Sequence, residues 1–339
     1  MKKILLCLGI LYSAQALSQT NDSAVYFYQK GVEEKTAKRY LVASNNFDKA
    51  VKLNPKYTAA FIENGYANLE MRKTDLAISN FTKANELEPA NNQAINELMN
   101  LFYSYRQYEK AVDFAQRCKS CANAEKVLAM SYYRQEDYAK AEKALKAIIN
   151  KNPNDAELNY TLGRTYLEME QEKNAIYFYE KAVQIDTTKN AWLQELGLLY
   201  YNAGNYKNAI VYFNKAAANG FNKSNDFNEN LGYAYIYAGQ FEAGEKILLD
   251  LLARKPGNKD ILRDIAQTYY DRKLYDKSLE FCQKLIELDA KDAKALYQAG
   301  LCFQKKGEKD RGQAMCDKAI EMDPSLAKMR SKKEMPGGL

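Results

Sequence analysis

The chain of 339 residues contains no histidine, one tryptophan and six prolines. Without histidine, the commonest general base and the commonest neutral metal ligand are both missing. No Gly-rich phosphate loop, nucleophile elbow or metal-ligand motif appears either. Charged runs such as Glu33-Glu34 and Glu170-Gln171-Glu172 read as solvated helix surface. These absences point to a non-enzymatic chain with no cofactor and no metal. A strong excess of one charge is also lacking. The formal +6 owes much to Lys2 and Lys3 and to the cluster Lys328, Arg330, Lys332 and Lys333, and the body between them is close to neutral. Phosphate binding needs a concentrated basic surface, so no nucleic-acid partner is expected.

Long apolar runs are scarce as well. Ile4 to Tyr12 is nine residues, whereas a bilayer-spanning helix needs ~20. It follows Met1-Lys2-Lys3 and precedes Ala14-Gln15-Ala16 and Ala16-Leu17-Ser18. Residues 1–18 therefore read as a secretory signal peptide cut after residue 16 or 18, with an uncleaved anchor as the alternative. Cys7 is preceded by Leu6 where lipid attachment would want a small residue, so a lipoprotein is not expected. The mature chain is expected to be exported, periplasmic or secreted, with no transmembrane segment.

What the sequence has in quantity is order at long range. Leu162-Gly163, Tyr166, Ala175, Tyr179 and Ala182 recur 34 residues later as Leu196-Gly197, Tyr200, Ala209, Phe213 and Ala216. With each period counted in slots, the large residues at slots 4, 7 and 11 and the small one at slot 8 share one helix face. The small, aromatic, small set at slots 20, 24 and 27 shares a face on a second helix. Small residues at 8 and 20 let the two helices approach. This L-G-x-x-Y…A-x-x-x-F…P pattern resembles the tetratricopeptide-repeat family. The resemblance implies an all-α, right-handed superhelical solenoid of helix–turn–helix units, covering residues 24–326 and leaving no room for an appended catalytic domain.

Nine repeats are expected, starting at 24, 58, 92, 122, 156, 190, 225, 259 and 293. Pro55, Pro89, Pro153, Pro256 and Pro324 then share slot 32, where proline stops the second helix. Gly204, Gly239 and Gly307 share slot 15, where a left-handed residue would end the first helix. Tyr40, Tyr108, Tyr138, Tyr206, Phe241 and Tyr275 share slot 17. The third repeat is 30 residues long and the sixth 35, which should disturb the array locally. Residues 325–339 are expected to form a short basic capping helix, from Ser325 to Glu334, and a frayed tail.

In the family, the stripe at slots 2, 5, 9, 12 and 13 lines a concave groove that holds extended peptides. Carried over by slot, that groove comprises Asn96, Asn100, Tyr103, Lys126, Tyr133 and Arg134, then Tyr160, Arg164, Gln194, Tyr201 and Asn202, then Tyr233, Tyr237, Arg263, Gln267, Tyr270 and Tyr297. Tyrosine offers contact area at low entropy cost, and the amides can bond an extended backbone. The family's dicarboxylate clamp is missing, since Lys126 at slot 5 is followed by Met130 at slot 9 and Asn100 at slot 9 follows Asn96. Cys118 and Cys121 lie three apart near a helix end and are candidates for a disulfide; Cys282, Cys302 and Cys316 occupy packing slots. The expected function is a scaffold or adaptor for a protein or peptide partner in the cell envelope. The rivals are a glycan-binding module, an accessory subunit of an envelope enzyme or secretion complex, and a self-assembling component.

Overall fold

The computed structural model describes residues 22–254 and 259–329. The signal segment 1–18, Pro256 and the tail beyond Met329 lie outside the described residues. Among the described residues every regular element is helical. Two compact units divide after Ile185. In the first, five helix pairs follow one another: α1 (22–36) with α2 (Tyr40–Leu53), α3 (Thr58–Glu70) with α4 (Thr74–Leu87), α5 (Asn92–Ser104) with α6 (Tyr108–Arg117), α7 (Ala124–Arg134) with α8 (Tyr138–Lys151), and α9 (Ala156–Glu168) with α10 (Glu172–Ile185). The second holds α11 (Asn190–Asn202) with α12 (Tyr206–Ala218), α13 (Asn225–Tyr237) with α14 (Phe241–Arg254), α15 (Lys259–Asp271) with α16 (Tyr275–Leu288), and α17 (Ala293–Lys305) with α18 (Lys309–Met322). A 3-10 turn over Pro324–Met329 follows α18. The segment after Pro324 thus opens as a short 3-10 helix.

Every pair turns on the same backbone geometry. Slot 15 has positive φ in all nine turns: glycine at Gly204, Gly239 and Gly307 (φ 72–95°), but Lys38, Arg72, Arg106, Glu136, Glu170 and Lys273 in the others (φ 58–62°). The next amide then reaches back five residues, as Asn205 N–H does to the Tyr200 carbonyl at 2.8 Å and Lys73 N–H to Asn68 at 2.8 Å. This is the Schellman closure, which satisfies carbonyls that the helix end would otherwise leave bare.

The two helices of a pair touch because one of two facing slots is small. A Cβ built on Gly65 would stand 2.7 Å from the Phe81 ring, and one on Gly197 2.7 Å from the Phe213 ring. In the third repeat the sizes are exchanged: Met99 is fully buried at slot 8 and Ala115 takes slot 24. In the ninth, Gly300 faces Gly312, where a Cβ would meet the Gly300 carbonyl oxygen at 2.5 Å. Leu162 and Tyr166, Leu196 and Tyr200, and Leu262 and Tyr269 complete the buried faces.

The third repeat also departs in length. Its second helix, α6, has 10 residues, against 13 or 14 in the other second helices named above, and α7 has 11. The missing residues come from the helices themselves, while the junction between them, residues 118–123, is longer than those at 54–57 and 88–91; there Cys118 caps α6 and is joined to Cys121 by a disulfide with Cα atoms 5.6 Å apart.

Two outcomes test this packing. Phe213→Ala should destabilise the chain by about 3–5 kcal/mol and Gly197→Met by about 1–3 kcal/mol, yet the double variant, which copies Met99 and Ala115, should be more stable than their sum predicts, as read by urea unfolding. Separately, Arg72→Gly or Glu170→Gly should each stabilise by about 0.5–1 kcal/mol. Relief of a left-handed residue, roughly 1–2 kcal/mol, exceeds the added chain entropy of glycine, roughly 0.5–1 kcal/mol.

Candidate functional site

The first helix of each pair commits slots 4, 7, 8 and 11 to the core, and its other face is left to carry side chains that packing does not require. Consecutive first helices also touch within each unit: α5 with α7, α7 with α9, α11 with α13, and α15 with α17. Their free stripes therefore adjoin and form one wall per unit.

In the first unit the wall joins α5, α7 and α9. Asn123 donates to the Asn100 side chain at 2.8 Å, and Asn100 to Asn96 at 3.4 Å. Tyr103 packs on Tyr108 and Tyr133 on Tyr138, with ring centroids 5.8 and 6.2 Å apart. Each of these pairs bridges a first helix to the second helix of its own repeat. Burial raises the Tyr103 hydroxyl pKa, partly offset by the Arg134 guanidinium. Arg134 is exposed and lies over the Tyr133 ring at 5.8 Å. Arg164 reaches the Tyr160 hydroxyl at 3.5 Å and Glu168 at 3.6 Å, and the Tyr160 contact is the main reason its pKa stands above the ordinary arginine value. Lys126 donates to Glu157 at 2.6 Å and also faces Asp155. Burial pulls its ammonium pKa down, but the two carboxylates outweigh burial and hold it above the usual range.

The wall extends into repeats that sequence reasoning passed over. Tyr66, at slot 9 of the second repeat, is pushed up to about 12 chiefly by burial; Gln93 donates to its hydroxyl at 3.1 Å, and Tyr66 itself donates to Glu97 at 3.1 Å. Its slot was the available signal.

In the second unit the wall joins α11, α13, α15 and α17. Tyr201 lies against Tyr206 and Tyr237, at 5.6 and 6.3 Å, and Tyr206 against Tyr237 at 4.9 Å. Tyr270 packs on Tyr275 at 5.6 Å. Gln194 is half-buried; Asn202 and Gln267 are exposed, the latter donating to Asp271 at 2.8 Å. Arg263 is held by Asp260 at 2.8 Å and by the buried Asp292 at 2.7 Å.

Two expected wall residues are buried instead. Tyr233 is 7% exposed, because it stacks on Tyr237 and its hydroxyl donates to Asp264 of the next first helix at 3.1 Å, which draws the ring into the α13–α15 seam. Tyr297 is 2% exposed and packs in one cluster with Ala293, Cys316 and Leu326; the 3-10 turn after Pro324 supplies Leu326 as its cover. Tyr233 is thereby closed off, whereas Tyr297, though buried, still borders a cavity between α15 and α17.

Acidic residues, rather than basic ones, mark this second wall. Glu229 is half-buried between Asp226 and Asp264, and burial first, then these two neighbours, raises its carboxyl pKa. Beside it, α15 and α17, with α16 behind, enclose a cavity of about 320 Å³ lined by Asp264, Ala266, Cys282, Leu285, Ala295 and Gln298 among others. Cys282, Cys302 and Cys316 are buried thiols outside the disulfide, and burial pushes the Cys282 thiol up to about 12. No helix of the described residues is long and apolar enough to cross a membrane.

Comparison with known proteins agrees with this architecture. Two family models, both described as tetratricopeptide repeat, match residues 127–190 and 229–293, and residues 193–218 and 293–326. Together they span more than half of the chain, which belongs to the tetratricopeptide-repeat family. Human protein O-mannosyl-transferase TMTC1 is 30% identical over 162 residues, 47% of this chain and 18% of that protein. The CTR9 homolog of Arabidopsis thaliana is 25% identical over 259 residues, 70% of this chain and 23% of its own length. The chain thus spans less than a quarter of either relative. The repeat-containing protein YpiA of Bacillus subtilis is 22% identical over 76% of this chain and 62% of its own length. Among solved structures, the C-terminal part of a repeat protein from Cytophaga hutchinsonii is 20% identical over 70% of this chain and 97% of that one, with a TM-score of 0.46. YrrB, described as a repeat protein with an unusual peptide-binding site, is 22% identical over 56% of this chain and all of its own, with a TM-score of 0.39.

The raised carboxyl of Glu229 has a definite consequence for stability. An acid whose folded-state pKa exceeds its unfolded one loses stability as pH rises from the ordinary carboxylate range through the raised value. Glu229→Gln should therefore raise the melting temperature at neutral pH, and the gain should vanish below about pH 4, where the wild-type carboxyl is neutral in both states. A variant less stable than wild type at neutral pH would show that the carboxylate has a favourable partner.

Proposed function

We propose that this chain is an adaptor that holds an extended segment of a partner protein against its first-helix walls. Tetratricopeptide repeats mediate protein–protein interaction, and the observation that carries the finer reading is the half-buried tyrosine band. Tyr103, Tyr133, Tyr160, Tyr201, Tyr237 and Tyr270 all stand on the free stripe. A half-exposed ring braced by a second ring is already ordered, so binding over it loses little further entropy. Asn96, Asn100, Gln194, Asn202 and Gln267 on the same stripe suit the carbonyls and amides of an extended backbone. The basic stretch and apolar run at the N-terminus support export, and the Cys118–Cys121 disulfide suits an oxidising compartment.

A photo-crosslinking residue at Arg134 or Gln267 should capture the partner, and one at the exposed Lys83 of α4 or Lys143 of α8 should not. Tyr103→Ala, Tyr133→Ala and Tyr201→Ala together should reduce capture about tenfold or more while far-UV circular dichroism stays unchanged; full capture by the triple variant rejects the wall as the binding surface. N-terminal sequencing of the exported protein should begin at Leu17 or Gln19, and a retained Met1 rejects cleavage.

A further inference from the structure

The two walls differ in charge, and the second is not neutralised from within. On α13 and α15 it carries Asp226, Glu229, Asp260, Asp264 and Asp271. The basic side chains of these two helices are already engaged: Arg263 by Asp260 and Asp292 at 2.8 and 2.7 Å, and Lys259 by Asp289 at 2.8 Å. Lys294, on α17, shares its field with Asp323. Among the described residues the Asp264 carboxylate accepts from the Tyr233 hydroxyl, an uncharged donor. Glu229 has no hydrogen bond or ion pair among the described residues, although it is half-buried. A partly desolvated carboxylate beside a second one is costly until a cation arrives. Beside the buried Tyr233, the Tyr201 hydroxyl lies in the field of both carboxylates and its ring packs against Tyr237, and the π faces of such rings attract a cation rather than an anion.

A second observation stands beside the first. The cavity between α15 and α17 has Asp264 on its rim and an apolar floor of Ala266, Leu285 and Ala295. Two of its lining side chains, Arg263 through Nε and Gln298 through Nε2, bury a donor nitrogen that meets no acceptor among the described residues. Buried donors are nearly always satisfied, so a cavity that keeps two of them waiting is shaped for a ligand with carbonyl oxygens. A volume of about 320 Å³ is enough for one large apolar side chain and the backbone that carries it. A free anion would gain the donors but face the carboxylates; a polyamine would gain the carboxylates but leave the donors and the apolar floor unmet. An extended peptide with a basic and an apolar side chain satisfies all three.

We infer that the first-helix wall of residues 186–329 is selective for a positively charged extended segment, with a Lys or Arg side chain between Glu229, Asp264 and the faces of Tyr201 and Tyr237. A neighbouring apolar side chain enters the α15–α17 cavity, and the backbone carbonyl beside it accepts from Gln298. This names the partner chemistry for one of the walls assigned above, and so rests on that assignment.

The test titrates the full-chain protein with three fluorescent peptides of equal length, alternating Lys with Leu, Glu with Leu, and Lys with Ser, followed by fluorescence anisotropy. The Lys–Leu peptide should bind at least tenfold tighter than Glu–Leu, with Lys–Ser between them. Glu229→Gln combined with Asp264→Asn should erase the preference for Lys over Glu. Ala295→Leu, which fills the cavity, should reduce Lys–Leu to the level of Lys–Ser; Gln298→Ala, which leaves the core untouched, should weaken both lysine peptides about equally. Equal or tighter binding of Glu–Leu, no binding of Lys–Leu, or an undiminished preference in the double variant overturns the inference. Tyr201→Ala separates this from the broader reading. If only the charge preference fails while Tyr201→Ala still abolishes binding or partner capture, the wall remains the binding surface for a segment of other chemistry. If Lys–Leu binds and Tyr201→Ala leaves its affinity unchanged, the aromatic wall is not where it binds, and both readings fall.

Discussion

The whole array depends on how closely the two helices of each repeat approach, and that distance is set by complementary side-chain size. Gly65 against Phe81, Gly163 against Tyr179 and Gly197 against Phe213 each leave less room than one methyl group needs. Met99 against Ala115 reaches the same density with the large residue on the other helix. What is held constant is the filled volume rather than the identity of either residue. Fully burying one such aromatic is worth about 1.5–3 kcal/mol relative to leaving it exposed, so repeated pairs of this kind supply much of the stability of an array in which each repeat touches only its neighbours.

That economy of core slots is what frees the wall. Four slots of a first helix and three of a second are enough to fill each repeat, and the remaining stripe is open to residues chosen for other reasons. The tyrosines there are nonetheless not loose. Tyr103 with Tyr108, Tyr133 with Tyr138, Tyr201 with Tyr206 and Tyr270 with Tyr275 pair a slot-12 ring with the slot-17 ring across the turn. The left-handed residue at slot 15 makes this possible, because the Schellman closure fixes the angle at which the second helix starts. Turn geometry and wall rigidity are thus one device.

Much of the fold was legible in the sequence because the core slots repeat with their chemistry intact. The turns were legible only where glycine marks them: Arg72, Glu136 and Lys273 adopt the same left-handed backbone without any compositional trace. The wall was legible as a direction on each helix but not as an exposure. Slot 9 pointed to Tyr233 and slot 5 to Tyr297, yet burial depends on what comes next in space. For Tyr233 that is a hydrogen bond it donates to the following first helix, and for Tyr297 it is Leu326, some thirty residues further on. The acidity of the second wall escaped notice for a related reason. Net charge summed over the chain is small, and only adjacency across α13 and α15 gathers Asp226, Glu229 and Asp264 into one place.

The cysteines follow the same logic of position. The third repeat has no proline at its end and a shortened second helix, so nothing covalent in the backbone defines the start of α7. The disulfide between Cys118 and Cys121 closes a short loop there, and a loop of that size removes only about 2 kcal/mol of chain entropy from the unfolded state. Its value is local: it holds the lengthened junction after the shortened α6, and keeps Cys118 packed with Val127 and Phe114 in one cluster. Among the described residues the other three cysteines, Cys282, Cys302 and Cys316, are kept from thiol exchange for the opposite reason. Burial holds Cys282 and Cys302 protonated, and the Ser278 hydroxyl lies 3.2 Å from the Cys302 sulfur. Exchange requires a thiolate that an oxidant can reach. A pair already joined at a turn and three inert thiols in the core is the distribution that an oxidising compartment would tolerate, which agrees with the export proposed for this chain.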